Sequence, residues 1–130
     1  MSRPIIVALD VSNARALRDL VAKLPPNLCR VKIGKELFTA LGPEAVEICH
    51  GAGHEVFLDL KFHDIPNTCA MAVRAAARLG VWMTNVHCAG GQAMLEAAKD
   101  VLAGESHSPL LIGVTVLTSM DAAALQAVGV

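Results

Sequence analysis

The chain has 130 residues, 54% of them hydrophobic, which is enough for one domain with a real core. Its 11 basic and 12 acidic residues give a formal net charge of -1, so nothing in the charge balance favours nucleic acid or an anionic membrane as a partner. The best apolar run, from Leu110 to Val114, meets Thr115 at once, far short of the roughly 20 residues that span a bilayer. The short apolar run before Asp10 is likewise too brief for a signal peptide.

Cysteine usage bears on the compartment. The four cysteines lie about one structural unit apart and form no Cys-x-x-Cys pair. This spacing predicts reduced thiols and a cytoplasmic protein.

Short β-rich runs alternate with longer helical ones along the whole chain. Strands are predicted over residues 5–9, 29–33, 55–60, 81–86 and 109–117. Helices are predicted over 12–24, within 34–50, and over 66–79, 90–102 and 121–128. Pro25-Pro26 ends the first helix, and Pro66 suits the first turn of the third.

The β-α alternation argues for parallel strands joined by right-handed crossovers. A doubly wound sheet and a (β/α)8 barrel both fit, although no Gly-x-Gly-x-x-Gly follows the first strand. Charged residues at strand ends (Asp10, Lys32, Asp59 and Lys61) favour the barrel, where chemistry lies at that rim. A whole barrel needs about 250 residues. The prediction is therefore a single domain, residues 1–130, that covers about the first five β-α units of a TIM barrel.

The stretch from Asp59 to Asp64 is the strongest candidate site. Strand alternation puts Asp59 and Lys61 on one face at the end of a buried strand. With Lys32 and Asp64 they could form an array of two ammoniums and two carboxylates, and such clusters usually mark a reaction site. A purely structural ion-pair cluster remains the alternative, as does a surface position for Lys32.

Five segments form a recognisable set: Val7-Ala-Leu-Asp10, Val31-Lys32-Ile-Gly-Lys-Glu, Phe57-Leu-Asp59-Leu-Lys61-Phe-His-Asp64-Ile65-Pro66-Asn67-Thr68, Asn85-Val-His87 and Val114-Thr-Val-Leu-Thr118-Ser. Together they resemble the bacterial orotidine 5'-phosphate decarboxylase family. The resemblance covers essentially the whole chain in the family's order. The Asp-x-Lys-x-x-Asp core is shared with related phosphosugar decarboxylases and synthases. The extension after it, residues 65–68, is more particular to the orotidylate enzymes.

The resemblance implies a role for each charged residue. Lys61 would donate a proton to C6 of the pyrimidine, and Asp59 would lie near the substrate carboxylate. Lys32 would hold Asp59 and contact the ribose. Asp64 would reach across a homodimer interface into the neighbouring site. The resemblance also implies a larger set of substrate-binding residues: Asp10, Lys32, Asp59, Leu60, Lys61, Phe62, His63, Asp64, Ile65, Pro66, Asn67, Thr68 and Thr118.

The implied reaction converts orotidine 5'-phosphate to uridine 5'-phosphate (UMP) and carbon dioxide, the last step of de novo pyrimidine synthesis. The family uses no metal and no organic cofactor, and its phosphate-gripping glutamine and arginine come from loops beyond residue 130. The isolated chain is therefore expected to have two unpaired sheet edges and to decarboxylate poorly or not at all. Two alternatives stay open: a metal-dependent phosphosugar decarboxylase or synthase, and a half-barrel that serves only as an interaction module.

Asp10 and Thr118 have an ordinary interpretation beside the functional one. Asp10 could cap the following helix and bind a ligand as well. Beside Thr118 stand two other candidate caps, because Ser119 or Asp121 could equally cap the next helix.

Several histidines and one glycine pair also have ordinary structural interpretations. Gly51 and Gly53 separate His50 from His54, so a helical metal pair is not expected. A structural hydrogen-bonding role is favoured for His63, while His87 could line the pocket or simply pack. The pair at residues 90–91 is better explained by a tight turn than by a phosphate site.

Overall fold

A computed structural model describes residues 2–130 of the chain. Within these residues, five strands and six helices follow one another, with two short 3-10 turns. In order these are β1 Ile5–Ala8, α1 Ala14–Val21, β2 Cys29–Ile33, α2 Lys35–Leu41, α3 Glu44–Gly51, β3 Val56–Phe62, α4 Pro66–Arg78, β4 Met83–His87, a 3-10 turn Cys88–Gly90, α5 Gln92–Asp100, a 3-10 turn Val101–Gly104, β5 Leu110–Val114 and α6 Ala122–Ala127.

The strands form one parallel sheet in the order β1-β2-β3-β4-β5. A doubly wound sheet would reverse its strand order at a switch point, and this sheet does not. Sequential parallel order with a helix after each strand is the arrangement of a (β/α)8 barrel. The predicted fold is confirmed: the chain forms five consecutive β-α units of such a barrel, with β1 and β5 at the edges of the described sheet.

The core lies between the strands and the helices. On β2, Cys29, Val31 and Ile33 are buried toward the helices, and Arg30 and Lys32 take the opposite face. One buried cluster joins β1–β3 to α1–α3, and a second joins β4 to α4 and α5. Because apolar residues occupy the helix-facing side, the alternation leaves charged side chains for the concave side of the sheet.

The region 34–50 forms two helices where the sequence predicted one loop and helix. Gly42 ends α2 with a φ of 63°, in the left-handed region that favours glycine, and Pro43 precedes α3. The strand predicted over 109–117 ends earlier, at Val114. β3 runs two residues further than predicted, to Phe62.

Side-chain caps settle two of the open interpretations. Asn13 Oδ1 accepts a hydrogen bond from Ala16 N at 2.8 Å, so Asn13 and not Asp10 caps α1. Asp121 Oδ1 accepts from Ala124 N at 2.9 Å and caps α6. Neither Asp10 nor Thr118 is needed as a helix cap.

A polar network ties the strands together at their amino ends. Glu55 pairs with both Arg3 and Arg30, and Arg30 lies 4.0 Å above the ring of Trp82. These contacts link the start of the chain to the β2, β3 and β4 region, at the end of the sheet opposite Asp59 and Lys61. Within residues 2–130, no helix is both long and apolar enough to cross a membrane.

Candidate active site

Two lysines hold one buried carboxylate at the carboxyl ends of β2 and β3. Lys61 Nζ donates to Asp59 Oδ1 at 2.7 Å, and Lys32 Nζ lies 3.3 Å from Asp59 Oδ2. Asp59 is only 8% exposed. Both carboxylate oxygens are therefore engaged by positive charge, and the two ammonium groups are held close to each other.

The environment of Asp59 keeps it ionised. Burial by itself raises the pKa of its carboxyl, but hydrogen bonds from Lys61, Asn85 and Lys32 outweigh burial and leave the pKa below its ordinary value. Hydrogen bonds to the charged form favour the anion. The centre therefore combines an ionised carboxylate with two lysine side chains.

Lys61 reaches Asp59 through an irregular backbone. Leu58 pairs with Thr84 and Phe62 pairs with Val86, so residues 59–61 oppose a single residue of β4. Lys61 has a φ of 50°. It is the only non-glycine residue with a positive φ in the described part of the chain. Regular alternation predicted a shared face for Asp59 and Lys61. Their side chains do meet, but a bulge brings them together.

Asn85 is a member of the centre that sequence reasoning did not single out. Its side chain is 3% exposed, donates from Nδ2 to Asp59 Oδ1 at 2.7 Å and accepts from Lys61 N at 2.9 Å on Oδ1. In the sequence it stood only as part of a motif. Asn85 lies two residues before His87 on β4, so strand alternation puts both side chains on the concave side of the sheet. That spacing could have identified Asn85 from the sequence.

Two cavities meet at Asp59 and Lys61. One, of about 190 Å³, is lined by Asp10 and Lys32 together with Leu9, Gly34, Lys35 and Leu37. The other, of about 480 Å³, has a more apolar wall from Phe57, Val114, Val116 and Leu117, with Asn85, Thr118 and Ser119. Asp10 and Thr118 thus line different cavities, each of which also includes Asp59 and Lys61.

Asp64 lies outside the ion-pair array. It is exposed, and its Oδ1 accepts a hydrogen bond from Ile65 N at 2.7 Å; across residues 2–130 it forms no ion pair. The sequence pattern allowed an array of four charged groups within one chain. The structure brings together only Lys32, Asp59 and Lys61. The reason is local, because the chain bends at residues 63–65 to begin α4 at Pro66.

Most other residues of the segment, but not Ile65, Pro66 or Asn67, line a third cavity of about 380 Å³. It is lined by Lys35, Leu60, Lys61, Phe62, His63, Asp64, Thr68, Cys69, Ala72 and His87. Phe62 also packs against both core clusters. Ile65 is 70% exposed, Pro66 occupies the first turn of α4, and Asn67 is exposed.

Of the five histidines, two line this third cavity, and a third, which does not line it, is buried. The rings of His63 and His87 lie 5.4 Å apart. Burial lowers the pKa of His87, and nearby His63, Lys35 and Lys61 lower it further, so its ring is neutral near pH 7. His54 is buried at the start of β3, and neither of its ring nitrogens has a hydrogen-bond partner.

Fold and centre together define a class of protein: a (β/α) barrel with a lysine-carboxylate centre at the carboxyl ends of its strands. Within that class the chain belongs to the orotidine 5'-phosphate decarboxylase / HUMPS family, whose model matches residues 3–129.

Named relatives and solved structures agree with that assignment. The chain is 62% identical over 117 residues to the orotidine 5'-phosphate decarboxylase of Hahella chejuensis, a match covering 90% of this chain and 50% of that protein. It is 58% identical over 127 residues to the Pseudomonas syringae pv. tomato enzyme of the same name, covering 97% and 55%. The crystal structure of orotidine 5'-phosphate decarboxylase from Lactobacillus acidophilus matches with a TM-score of 0.86 and 42% identity, covering 96% of this chain and 58% of that one. The chain spans about half the length of the curated relatives it matches.

Proposed function

We propose that this chain supplies the catalytic charge centre of an orotidine 5'-phosphate decarboxylase, which releases carbon dioxide and forms UMP. The observation that carries the proposal is the Lys32-Asp59-Lys61 centre, with Lys61 Nζ 2.7 Å from Asp59 Oδ1, at the meeting point of two cavities. The family match and the names of the relatives support the same reaction.

The chemistry requires a fixed positive charge near one ring carbon. Loss of carbon dioxide leaves an electron pair on C6 of the pyrimidine with no obvious resonance sink. The Lys61 ammonium stabilises that developing charge and then donates a proton to C6. Asp59 orients Lys61, and its negative charge disfavours the substrate carboxylate until carbon dioxide leaves. Such ground-state stress carries less weight here than stabilisation of the carbanion.

The two cavities suggest how the nucleotide lies. Asp10 and Lys32 line the smaller, polar cavity and would hold the ribose hydroxyls, while Thr118 and the apolar wall would contact the base. Binding energy from the phosphate would hold the substrate in place against the charged centre. The phosphate-binding groups are expected from family segments that this match does not cover.

The proposed assembly is a cytoplasmic homodimer whose subunits each fold as a single barrel domain. Asp64 is exposed next to Ile65, a large apolar side chain that is 70% exposed. Contact with a second subunit would bury Ile65 and carry Asp64 toward the neighbouring site. The described cysteines are all free thiols, which suits a reducing compartment.

The direct test of the reaction uses a completed barrel, meaning this chain joined to the part of the Hahella chejuensis enzyme that the match leaves uncovered. We expect it to convert orotidine 5'-phosphate to UMP with unchanged rate in excess chelator. The Hahella enzyme itself is the control. Failure of the completed barrel to turn over while binding UMP would refute the proposal, and activity lost with chelator would favour a metal-dependent relative.

Mixed dimers test the sharing of Asp64. Lys61→Ala and Asp64→Asn barrels, each nearly inactive alone, are mixed and allowed to exchange subunits. If Asp64 acts in the partner's site, each mixed dimer has one intact site, and activity should return to about one quarter of the unsubstituted level. If Asp64 acts within its own subunit, both sites of the mixed dimer are defective and no activity returns.

A further inference from the structure

We propose that Asn85 is a positioning residue for the decarboxylation: its side-chain amide fixes the bulge that holds Lys61 and simultaneously binds Asp59. This inference rests on the proposed function and assigns a role to a residue that does not itself contact the reacting carbon. It stands on the two hydrogen bonds of one side-chain amide: Asn85 Nδ2 donates to Asp59 Oδ1 at 2.7 Å, and Asn85 Oδ1 accepts from Lys61 N at 2.9 Å.

The bulge creates the need for such a residue. Three residues of β3 oppose Asn85, so the Lys61 N–H falls out of the regular ladder of the parallel pair. A partly buried N–H without an acceptor is unfavourable, and Lys61 also takes a positive φ that side chains rarely adopt. Asn85 Oδ1 provides the missing acceptor. The backbone that aims the Lys61 ammonium is therefore held by a side chain from the next strand.

The amide matches both of its partners in hydrogen-bonding type. A backbone N–H requires an acceptor and an ionised carboxylate requires a donor, so the amide orientation with Oδ1 toward Lys61 and Nδ2 toward Asp59 is fixed by the network. A carboxyl group could accept from Lys61 N but, when ionised, would repel Asp59. Leucine has similar volume and could do neither. Among the described side chains that hydrogen-bond or ion-pair with Asp59, Asn85 is the neutral one beside Lys32 and Lys61.

Thr84 offers a matched control on the same strand. It is fully buried, and its Oγ1 donates to Leu58 O at 3.0 Å, so it also joins β4 to β3. Its side chain lies on the opposite face from Asn85. Thr84→Val removes a buried hydrogen bond between the same two strands without touching the charge centre.

The experiment compares Asn85→Leu, Asn85→Asp and Thr84→Val in the completed barrel, by kcat, KM, the pH dependence of kcat, and thermal protection by UMP. We expect kcat of Asn85→Leu to fall about 100-fold, as for a misplaced catalytic group, with KM and UMP protection nearly unchanged.

The Asn85→Asp variant should be least active at neutral pH and gain activity as the pH is lowered, because the protonated carboxyl can donate a hydrogen bond to Asp59. Thr84→Val should lose thermal stability and keep kcat.

The contrary results are equally specific. If Asn85→Asp has the rate and pH profile of the unsubstituted barrel, the positioning role is wrong even where Asn85→Leu fails to fold. If Thr84→Val loses as much kcat as the Asn85 variants, the effect is general loss of strand pairing and the inference is overturned. A completed barrel that binds UMP but is inactive before any substitution refutes the proposed function instead, so the two failures are distinguishable.

Discussion

At the scale of single residues, the sequence predicted the identity of the charged groups better than their arrangement. Burying an unpaired charge at the end of a strand is unfavourable, and this pointed to Lys32, Asp59 and Lys61. The structure places these three side chains in contact. Asp64 does not join them. Asn85 was missed because an uncharged amide carries no such cost in the sequence and becomes conspicuous only when its two partners are seen.

The depressed pKa of Asp59 makes a prediction about stability and pH. A carboxyl whose folded-state pKa is lowered stabilises the fold above its unfolded pKa of about 3.9, and this contribution is lost as pH falls through the lower folded value. In urea unfolding of the completed barrel, the advantage of the unsubstituted protein over Asp59→Asn should be full at pH 6 and should shrink in acid below about pH 4. An advantage independent of pH from 6 to 3 would contradict the ionic role of Asp59.

At the scale of elements, alternation predicted every strand of the described sheet, and the errors lie where the backbone departs from ideal geometry. Glycine and proline at residues 42–43 separate α2 from α3 in the region where one loop and one helix were predicted. The bulge in β3 could not be predicted from alternation, because Asp59 and Lys61 keep the same spacing with or without it. The need for the bulge comes from the contact with β4, which the local sequence does not encode.

Close packing between β5 and the turn after β4 gives a prediction at this scale. A Cβ added at Gly113 would overlap Cys88 Sγ. We expect Gly113→Ala to destabilise the barrel by about 1–3 kcal/mol, as overpacking usually does. Adding Cys88→Ala should recover most of the loss, which urea unfolding of the single and double variants would show. A double variant no more stable than Gly113→Ala would place the strain elsewhere.

At the scale of the whole molecule, the described sheet is open and its concave face carries both the charge centre and exposed apolar side chains. Leu110 is 54% exposed, Ile112 40% and Ile6 38%, all on the edge strands. In a closed barrel this face is filled by layers of side chains from every strand. The fold class could be predicted because it depends on a repeated local pattern, whereas the filling of the concave face depends on strands distant in sequence.

The most direct measurement is the rate of UMP formation from orotidine 5'-phosphate by the completed barrel and its Lys61→Ala and Lys61→Arg variants. Arginine keeps the positive charge but does not readily give up a proton. We predict that kcat falls at least ~1000-fold in both variants, because both lose the proton donor. Thermal protection by UMP should persist in both and would show that the binding site is intact. Ordinary turnover by either variant would contradict the assignment of Lys61 as the group that protonates C6.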